Sequence, residues 1–442
     1  MDFLDARACL WALSKKHDNF PVAMAPFSLY IHIPFCFHKC PYCDFNTYAV
    51  TRAPEDEYVS ALLSELDFRA TEKEWAGRTV QTIYFGGGTP SLFQPKSFRK
   101  LIFYICRTFP VDSRVEISIE CNPGTVTGES LSGYRLAGIN RLSLGAQSFD
   151  ANMLKTLGRI HTADQTAAAF ESARLAGFNN ISLDLMYGMP QQKLSDLRRD
   201  MQEVFNLAPE HVSAYSLTIE KGTEFYTRYK KGKLTPPADE EVAEMMGALQ
   251  DSLESQGYQQ YEISNYARRH REARHNLAYW NGDDYLGLGA GAHSMYAKAG
   301  GMRQRWSNYA IPKQYMERAV SRGRADSWRD TLNPKEVMFE FFFLGLRKTT
   351  GVNLGDFERM FGCRIEDAYP GITEVLIGSE FLKRAGEMLS LTKKGLFVAD
   401  SVIENFIFEG RTIPQTCGTN ETCTSTSAAS QADAAQPLAA NS

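Results

Sequence analysis

Between Phe27 and about Gln256 the apolar and polar positions alternate between two textures. Short runs rich in β-branched and aromatic residues read as strands: FSLYIHIP (27–34), TVQTIYFGGG (79–88), VEISIECNPG (115–124), RLSLGAQSF (141–149), NISLDLMYGMP (180–190) and HVSAYSLTIE (211–220). Between them lie stretches with apolar residues at helical spacing, such as EYVSALLSELDFRA, ADQTAAAFESARLAG and LSDLRRDMQEVFNLA. Gly177 stands where a helix C-cap glycine is expected, and the last of the three stretches ends before Pro209. Six strands separated by helices predict repeated βα units and a parallel sheet. Glycines and polar residues gather just after the apolar part of each strand, the edge at which α/β proteins build sites. The expected fold class is α/β, a partial (β/α)6 TIM-like barrel over 26–256.

The rest of the chain divides by texture. Residues 257–330 read as a connecting region, with a strand-like YQQYEISNYA, a polar RRHREARHN and a glycine-rich YLGLGAGAHS. From 331 to 410 the helical runs KEVMFEFFFLGLRK and NLGDFERMF precede a helix-and-hairpin pattern, which predicts a small C-terminal helical, winged-helix-like domain. Residues 1–25 form an extension with no apolar core or cleavage site of a secretory signal, and Asp2, Asp5 and Asp18 speak against a mitochondrial address. Residues 411–442 are rich in Ser, Thr, Ala, Asn and Gln, and too poor in large apolar groups to offset their ordering entropy; disorder is expected there.

Composition narrows the function classes only slightly. A net charge of −4 exerts no global pull toward nucleic acid or anionic lipid. No apolar run approaches the length of roughly 18 residues that a transmembrane helix needs. Nine cysteines, an odd number spread over 442 residues without an export signal, argue against a disulfide framework and for a reducing cytoplasm. Cys417 and Cys423 in the tail read as incidental.

Three of the nine lie within eight residues, as Cys36-Phe-His-Lys-Cys40-Pro-Tyr-Cys43, directly after the first strand. That spacing lets one short loop wrap three thiolates around a single metal centre, and soft thiolates suit iron–sulfur clusters or zinc. Structural zinc needs four closed ligands, and no fourth stands at a matching spacing; His38 is poorly placed to close the set. Three cysteines on a four-iron, four-sulfur (4Fe-4S) cluster leave one iron open to an outside ligand.

The cluster resembles that of the radical-SAM superfamily, in which S-adenosylmethionine (SAM) ligates the open iron and is cleaved by one electron from the cluster. YIHIPFC…CPYCDFNTY is similar to the branch holding oxygen-independent coproporphyrinogen oxidases and the HemW-type heme chaperones, and the likeness runs from Ser28 to about Ile407. Gly86-Gly87-Gly88-Thr89-Pro90 resembles the superfamily's glycine motif. The resemblance implies that Tyr30, Gly87 and Glu120 contact the cluster-bound SAM. It also implies that Gly88, Thr89, Gln147, Arg159 and Asp184 match positions holding a second SAM in the oxidases. Taken singly, each is as readily a solvated or salt-bridged strand-end residue.

Two departures favour the chaperone branch. Phe45 stands where the oxidases carry a further cysteine, and the chain lacks their long extension before the first strand. Arg274-His275-Asn276-Leu277-Ala278-Tyr279-Trp280 resembles the chaperones' HNxxYW motif, implying heme at His275. Imidazole ligates heme iron well, and Tyr279 and Trp280 offer faces for a macrocycle. Without the resemblance, a hydrogen-bonded loop histidine beside a packing tryptophan is the plainer reading. The expected function is therefore a heme chaperone that hands heme to an acceptor protein, with coproporphyrinogen III oxidation as the alternative. Gly287-Leu-Gly289-Ala-Gly291 lacks the strand-and-helix setting of a dinucleotide site and reads as close backbone packing.

Overall fold

The computed structural model describes residues 25–407. The expected N-terminal extension, save Ala25, and the expected disordered tail with Cys417 and Cys423 lie outside the described residues. The chain forms two compact units. The first runs to residue 278 and adds 283–296 and 305–329; the second comprises 279–282, 297–304 and the chain from 330.

All six expected strands form, as β1 (Phe27–Ile33), β2 (Val80–Gly87), β3 (Val111–Cys121), β4 (Arg141–Gln147), β5 (Ile181–Tyr187) and β6 (His211–Ser216). They lie in chain order, each parallel to the next. Every residue of β5 is buried, as expected for a parallel strand covered on both faces. The connecting helices bury one stripe each: Pro95–Thr108 turns Phe98, Leu101, Ile102 and Ile105 inward. Helix Ala163–Leu175 begins in a Thr162–Gln165 capping box (2.9 and 3.3 Å), and Gly177 follows it at φ +87°.

The run is open, hence a partial barrel. Beyond β6 the sheet continues antiparallel through Asn265–Ala267 and Gln259–Gln260, so YQQYEISNYA supplies two short strands where the pattern suggested one. On the other side Tyr285–Leu288 pairs parallel with β1, which makes the glycine-rich segment a strand. Its glycines are there for close approach: a Cβ on Gly287 would sit 2.0 Å from the His293 carbonyl, and one on Gly289 2.4 Å from that of His32. A strand of four residues with a glycine inside it is hidden from pattern reading.

Helix Glu55–Thr71 is bolted to the chain at Gly289, Asn308, Tyr315 and Asp326 by a buried polar cluster. Glu65 and Arg69, both fully buried, form an ion pair at 3.4 Å. Glu65 also accepts from Gly289 N (3.1 Å), Asn308 Nδ2 (2.8 Å) and Tyr315 Oη (2.8 Å), while Arg69 reaches Glu72 and Asp326.

The second unit contains the expected helices, Pro334–Gly345 and Leu354–Phe361, and the expected hairpin, Leu382–Ala385 with Met388–Leu391; Val352–Asn353 adds a third strand. Its core is aromatic: Phe342 stacks on Phe406 at 4.2 Å, with Phe357 and Tyr369 against it. No described helix is long and apolar enough to cross a membrane.

Removing Glu65 takes one of three carboxylates from a buried guanidinium and leaves Gly289 N and Tyr315 Oη without their acceptor. Glu65→Ala is expected to cost about 3 kcal/mol, the lower end for breaking a buried pair, because Asp326 and Glu72 remain for Arg69. Urea denaturation checks it; a loss below about 1 kcal/mol would rule out the bolt.

Candidate functional site

The site is built at the C-terminal ends of the parallel strands. After β1 the chain passes Pro34 into Phe35–Cys36, which pairs with Tyr48–Ala49. Tyr48 N donates to Pro34 O (2.7 Å) and Val50 N to Cys36 O (2.8 Å), so both ends of the loop carrying Cys40 and Cys43 are pinned. Inside it Cys43 N donates to Cys40 O (3.1 Å), and Asn46 Nδ2 donates to the carbonyls of Ala290 and Ala310 (3.0 Å each). All three cysteines are free thiols. Burial pushes Cys36 up and Cys43 up to about 11.

Gly86, Gly87 and Gly88 end β2 against this loop. A Cβ on Gly87, whose φ is +118°, would enter the His32 ring at 2.6 Å. One on Gly88 would meet Phe35 O at 2.8 Å and Cys36 Sγ at 3.0 Å, and one on Gly86 would meet the Tyr84 ring at 2.8 Å, Glu120 Oε1 at 2.9 Å and the Tyr30 ring at 3.1 Å. Thr89 donates its hydroxyl to Cys36 Sγ (3.3 Å) and its amide to Phe35 O (2.9 Å).

Glu120, near the end of β3, accepts from Gly87 N at 3.0 Å and from Tyr84 Oη at 2.9 Å. Desolvation nevertheless raises its carboxyl to about 7, with the charge of Asp184 adding to the push. Tyr30, on the same face, bonds its hydroxyl to His32 Nδ1 (2.9 Å), and His32 Nε2 meets Asn46 O (3.0 Å).

A third group gathers around β4. Gln147 adopts φ +64°, a left-handed conformation rare for a residue with a side chain, at a register shift between β4 and β5. Its Oε1 accepts from Tyr215 Oη (2.7 Å). Arg159 donates to Gly145 O (3.0 Å) and places Nη1 3.8 Å from Cys40 Sγ. Asp184 accepts from Ser143 Oγ (2.8 and 3.0 Å) and Ser182 Oγ (3.1 Å), and burial raises it to about 6.

His275 sits apart from these groups. It opens onto no solvent (1% exposed), bonds Nδ1 to Thr82 Oγ1 (2.7 Å) and stacks on Tyr84 at 4.9 Å; burial lowers it to about 3. Its amide donates to Glu116 (3.1 Å). Instead of a loop, the HNLAYW segment forms a short helix, Arg274–Trp280. In this conformation the imidazole is enclosed between Thr82 and Tyr84.

The structure thus brings the three cysteines, Thr89 and Arg159 to one loop, and Tyr30, Gly87 and Glu120 to one strand-end face. Sequence reading passed over Tyr84, which holds Glu120 and carries His275, and Tyr215, which holds Gln147. Strand alternation is the signal for Tyr84: Thr82, Tyr84 and Gly86 share a face of β2. No such signal marks Tyr215, since β6 meets Gln147 only through the curvature of the sheet.

The donor set fits an iron–sulfur cube better than a single ion. Among the described residues no three His, Cys, Asp or Glu side chains are gathered tightly enough for one metal ion. A cube instead takes its thiolates at separate corners, and Thr89 and Arg159 supply N–H and O–H donors to thiolate sulfur.

Comparison with known proteins bears on the whole chain. Residues 30–204 match the family model of the radical SAM superfamily, and 332–398 that of the HemN C-terminal domain. The heme chaperone HemW of Bacillus subtilis is 38% identical over 385 residues, covering 86% of this chain and 99% of that protein. HemW of Escherichia coli is 36% identical, covering 88% and 100%. A zebrafish protein described as mitochondrial radical S-adenosyl methionine domain-containing protein 1 is 30% identical, covering 91% and 93%. Among solved structures, coproporphyrinogen III oxidase (HemN) of Escherichia coli superposes with a TM-score of 0.74 at 23% identity, over 92% of this chain and 94% of that one. This likeness establishes a shared HemN-like fold.

Glu120 binds a proton more tightly folded than unfolded, so its contribution to stability falls as pH rises from about 4.5 to about 7. Glu120→Gln is expected to flatten this part of a melting-temperature profile, leaving the smaller slope of Asp184. An unchanged profile would mean that Glu120 ionises as it does in water.

Proposed function

The chain belongs to the HemW family of the radical-SAM superfamily, and on that footing we propose that it is a heme chaperone of the HemW type. It binds a 4Fe-4S cluster and SAM, binds heme, and passes heme to an acceptor protein in the reducing cytoplasm. The observation that carries this reading is the pinned loop with three free thiols, set beside a glycine strand end and a buried carboxylate.

Cys36, Cys40 and Cys43 would hold the cluster, which supplies a redox centre with one iron open to SAM. The buried thiols are protonated at neutral pH, so ligation must displace protons, and the Thr89 hydroxyl and Arg159 guanidinium then stabilise thiolate charge. Gly87, packed against the His32 ring with its amide on Glu120, would meet SAM at this strand end, with Tyr30 on the same face. Glu120, short of counter-charge, answers a cationic amino or sulfonium group. Gly88, Thr89, Gln147, Arg159 and Asp184 are the residues for a second SAM: Arg159 suits a carboxylate and Asp184 suits ribose hydroxyls. His275 is the proposed heme ligand, reached when helix Arg274–Trp280 opens.

Phe45 favours the chaperone over the coproporphyrinogen oxidase alternative, since a cysteine is missing where the oxidases carry one. Three experiments decide. Anaerobic reconstitution with iron and sulfide is expected to give a broad charge-transfer band near the visible and a reduced-state EPR signal, both lost in Cys36→Ala, Cys40→Ala and Cys43→Ala. Recovery of zinc alone at those thiols would sink the cofactor assignment. The reconstituted protein, given SAM and a reductant, is expected to leave coproporphyrinogen III unchanged; formation of protoporphyrinogen IX would replace the chaperone reading. In a heme titration His275→Ala is expected to weaken binding and shift the absorption maximum, and unchanged values would remove His275 as a ligand.

A further inference from the structure

A second cleft lies in the first unit, away from the cysteine loop. About 460 Å³ in volume, it is lined by Arg318, Arg322, Arg324, Ala325, Asp326 and Arg329. Helix Pro312–Arg322 ends in Gly323 at φ +71°, which turns the chain sharply so that Arg324 follows Arg322 around the same opening. Four guanidiniums thus face one carboxylate. That carboxylate is already committed, since Asp326 pairs with buried Arg69 and with Arg329 at 3.0 Å. Arg318 lies over the Tyr309 ring at 4.1 Å and Arg324 over that of Phe68 at 5.6 Å, contacts that orient a guanidinium without neutralising it. Among the described residues Arg318, Arg322 and Arg324 have no carboxylate partner.

Like charges crowded into a concavity repel one another and focus a positive potential on whatever enters. In a chain of net charge −4 this is a local reversal of sign. Guanidinium forks pair bidentately with carboxylates. A concave opening of this size falls within the range of small-molecule sites, roughly 300–1,000 Å³, and is poorly shaped for a flat bilayer.

We infer that this arginine cleft receives heme by its two propionate carboxylates. The inference rests on the heme-chaperone reading and supplies what the enclosed His275 does not: a surface position where a dianionic macrocycle docks. Iron ligation plays no part in it, so heme held there is free to leave for an acceptor.

Ferric heme and its dimethyl ester, in the same detergent, are titrated into wild type and into the triple variant Arg318→Gln, Arg322→Gln, Arg324→Gln. The triple variant is expected to bind heme about tenfold more weakly or worse, and the ester to bind both proteins alike at that weaker level. Heme binding the variant with wild-type affinity, or the ester binding wild type as tightly as heme, would overturn the inference. Absence of saturable heme binding by wild type overturns the heme reading itself, a distinct result. If the triple variant melts well below wild type, Arg322→Glu and Arg324→Glu, each at an exposed residue, carry the test singly, with a loss of affinity expected and an unchanged affinity decisive against.

Discussion

The site depends on how closely β2 is allowed to approach the end of β1. Three successive glycines remove the side chains that would fill the space occupied by the His32 ring, the Phe35 carbonyl and Cys36 sulfur, and the rings of Tyr30 and Tyr84. That approach lets the Gly87 amide reach Glu120 and the Thr89 hydroxyl reach Cys36. Strand end, carboxylate and thiol loop are therefore one mechanical unit. A single Cβ at Gly87 would push the strand off its neighbour, in a conformation that a side chain already disfavours.

Burial then sets the chemistry. Glu120 and Asp184 stand in a desolvated interior with neutral hydroxyl and amide donors, and neither forms an ion pair. Both carboxyls are raised as a result, Glu120 to about 7 and Asp184 to about 6. The same desolvation raises the thiols of Cys36 and Cys43. Strain is localised here too, at Gln147, whose left-handed backbone turns its amide toward Tyr215.

The HemN-like fold by itself does not choose between oxidase and chaperone, because function lives in sites and not in architecture. The choice rests on particular residues: Phe45 in the cysteine loop, the Arg274–Trp280 segment, and the identity to HemW chaperones along nearly the whole of their length. The arginine cleft and His275 are separate features of the first unit, one an exposed cluster of positive charge and the other a buried imidazole.

Sequence alone determined the parallel sheet, because buried parallel strands and amphipathic helices carry different and mutually exclusive periods. It also picked out the thiol loop, because three soft ligands at fixed short spacing have few other uses. Near-neighbour chemistry of this kind is written locally. Tertiary structure alone decided what distant segments share. Tyr84 bridges Glu120 on β3 and His275 on a helix, Tyr215 reaches Gln147 from β6, Tyr285–Leu288 joins β1 despite its glycine, and His275 lies inside where its motif suggested an accessible ligand. The charges of the arginine cleft stand close together in the chain, within residues 318–329, and there folding decided only that they share one opening, because side-chain direction has no signature in a one-dimensional pattern.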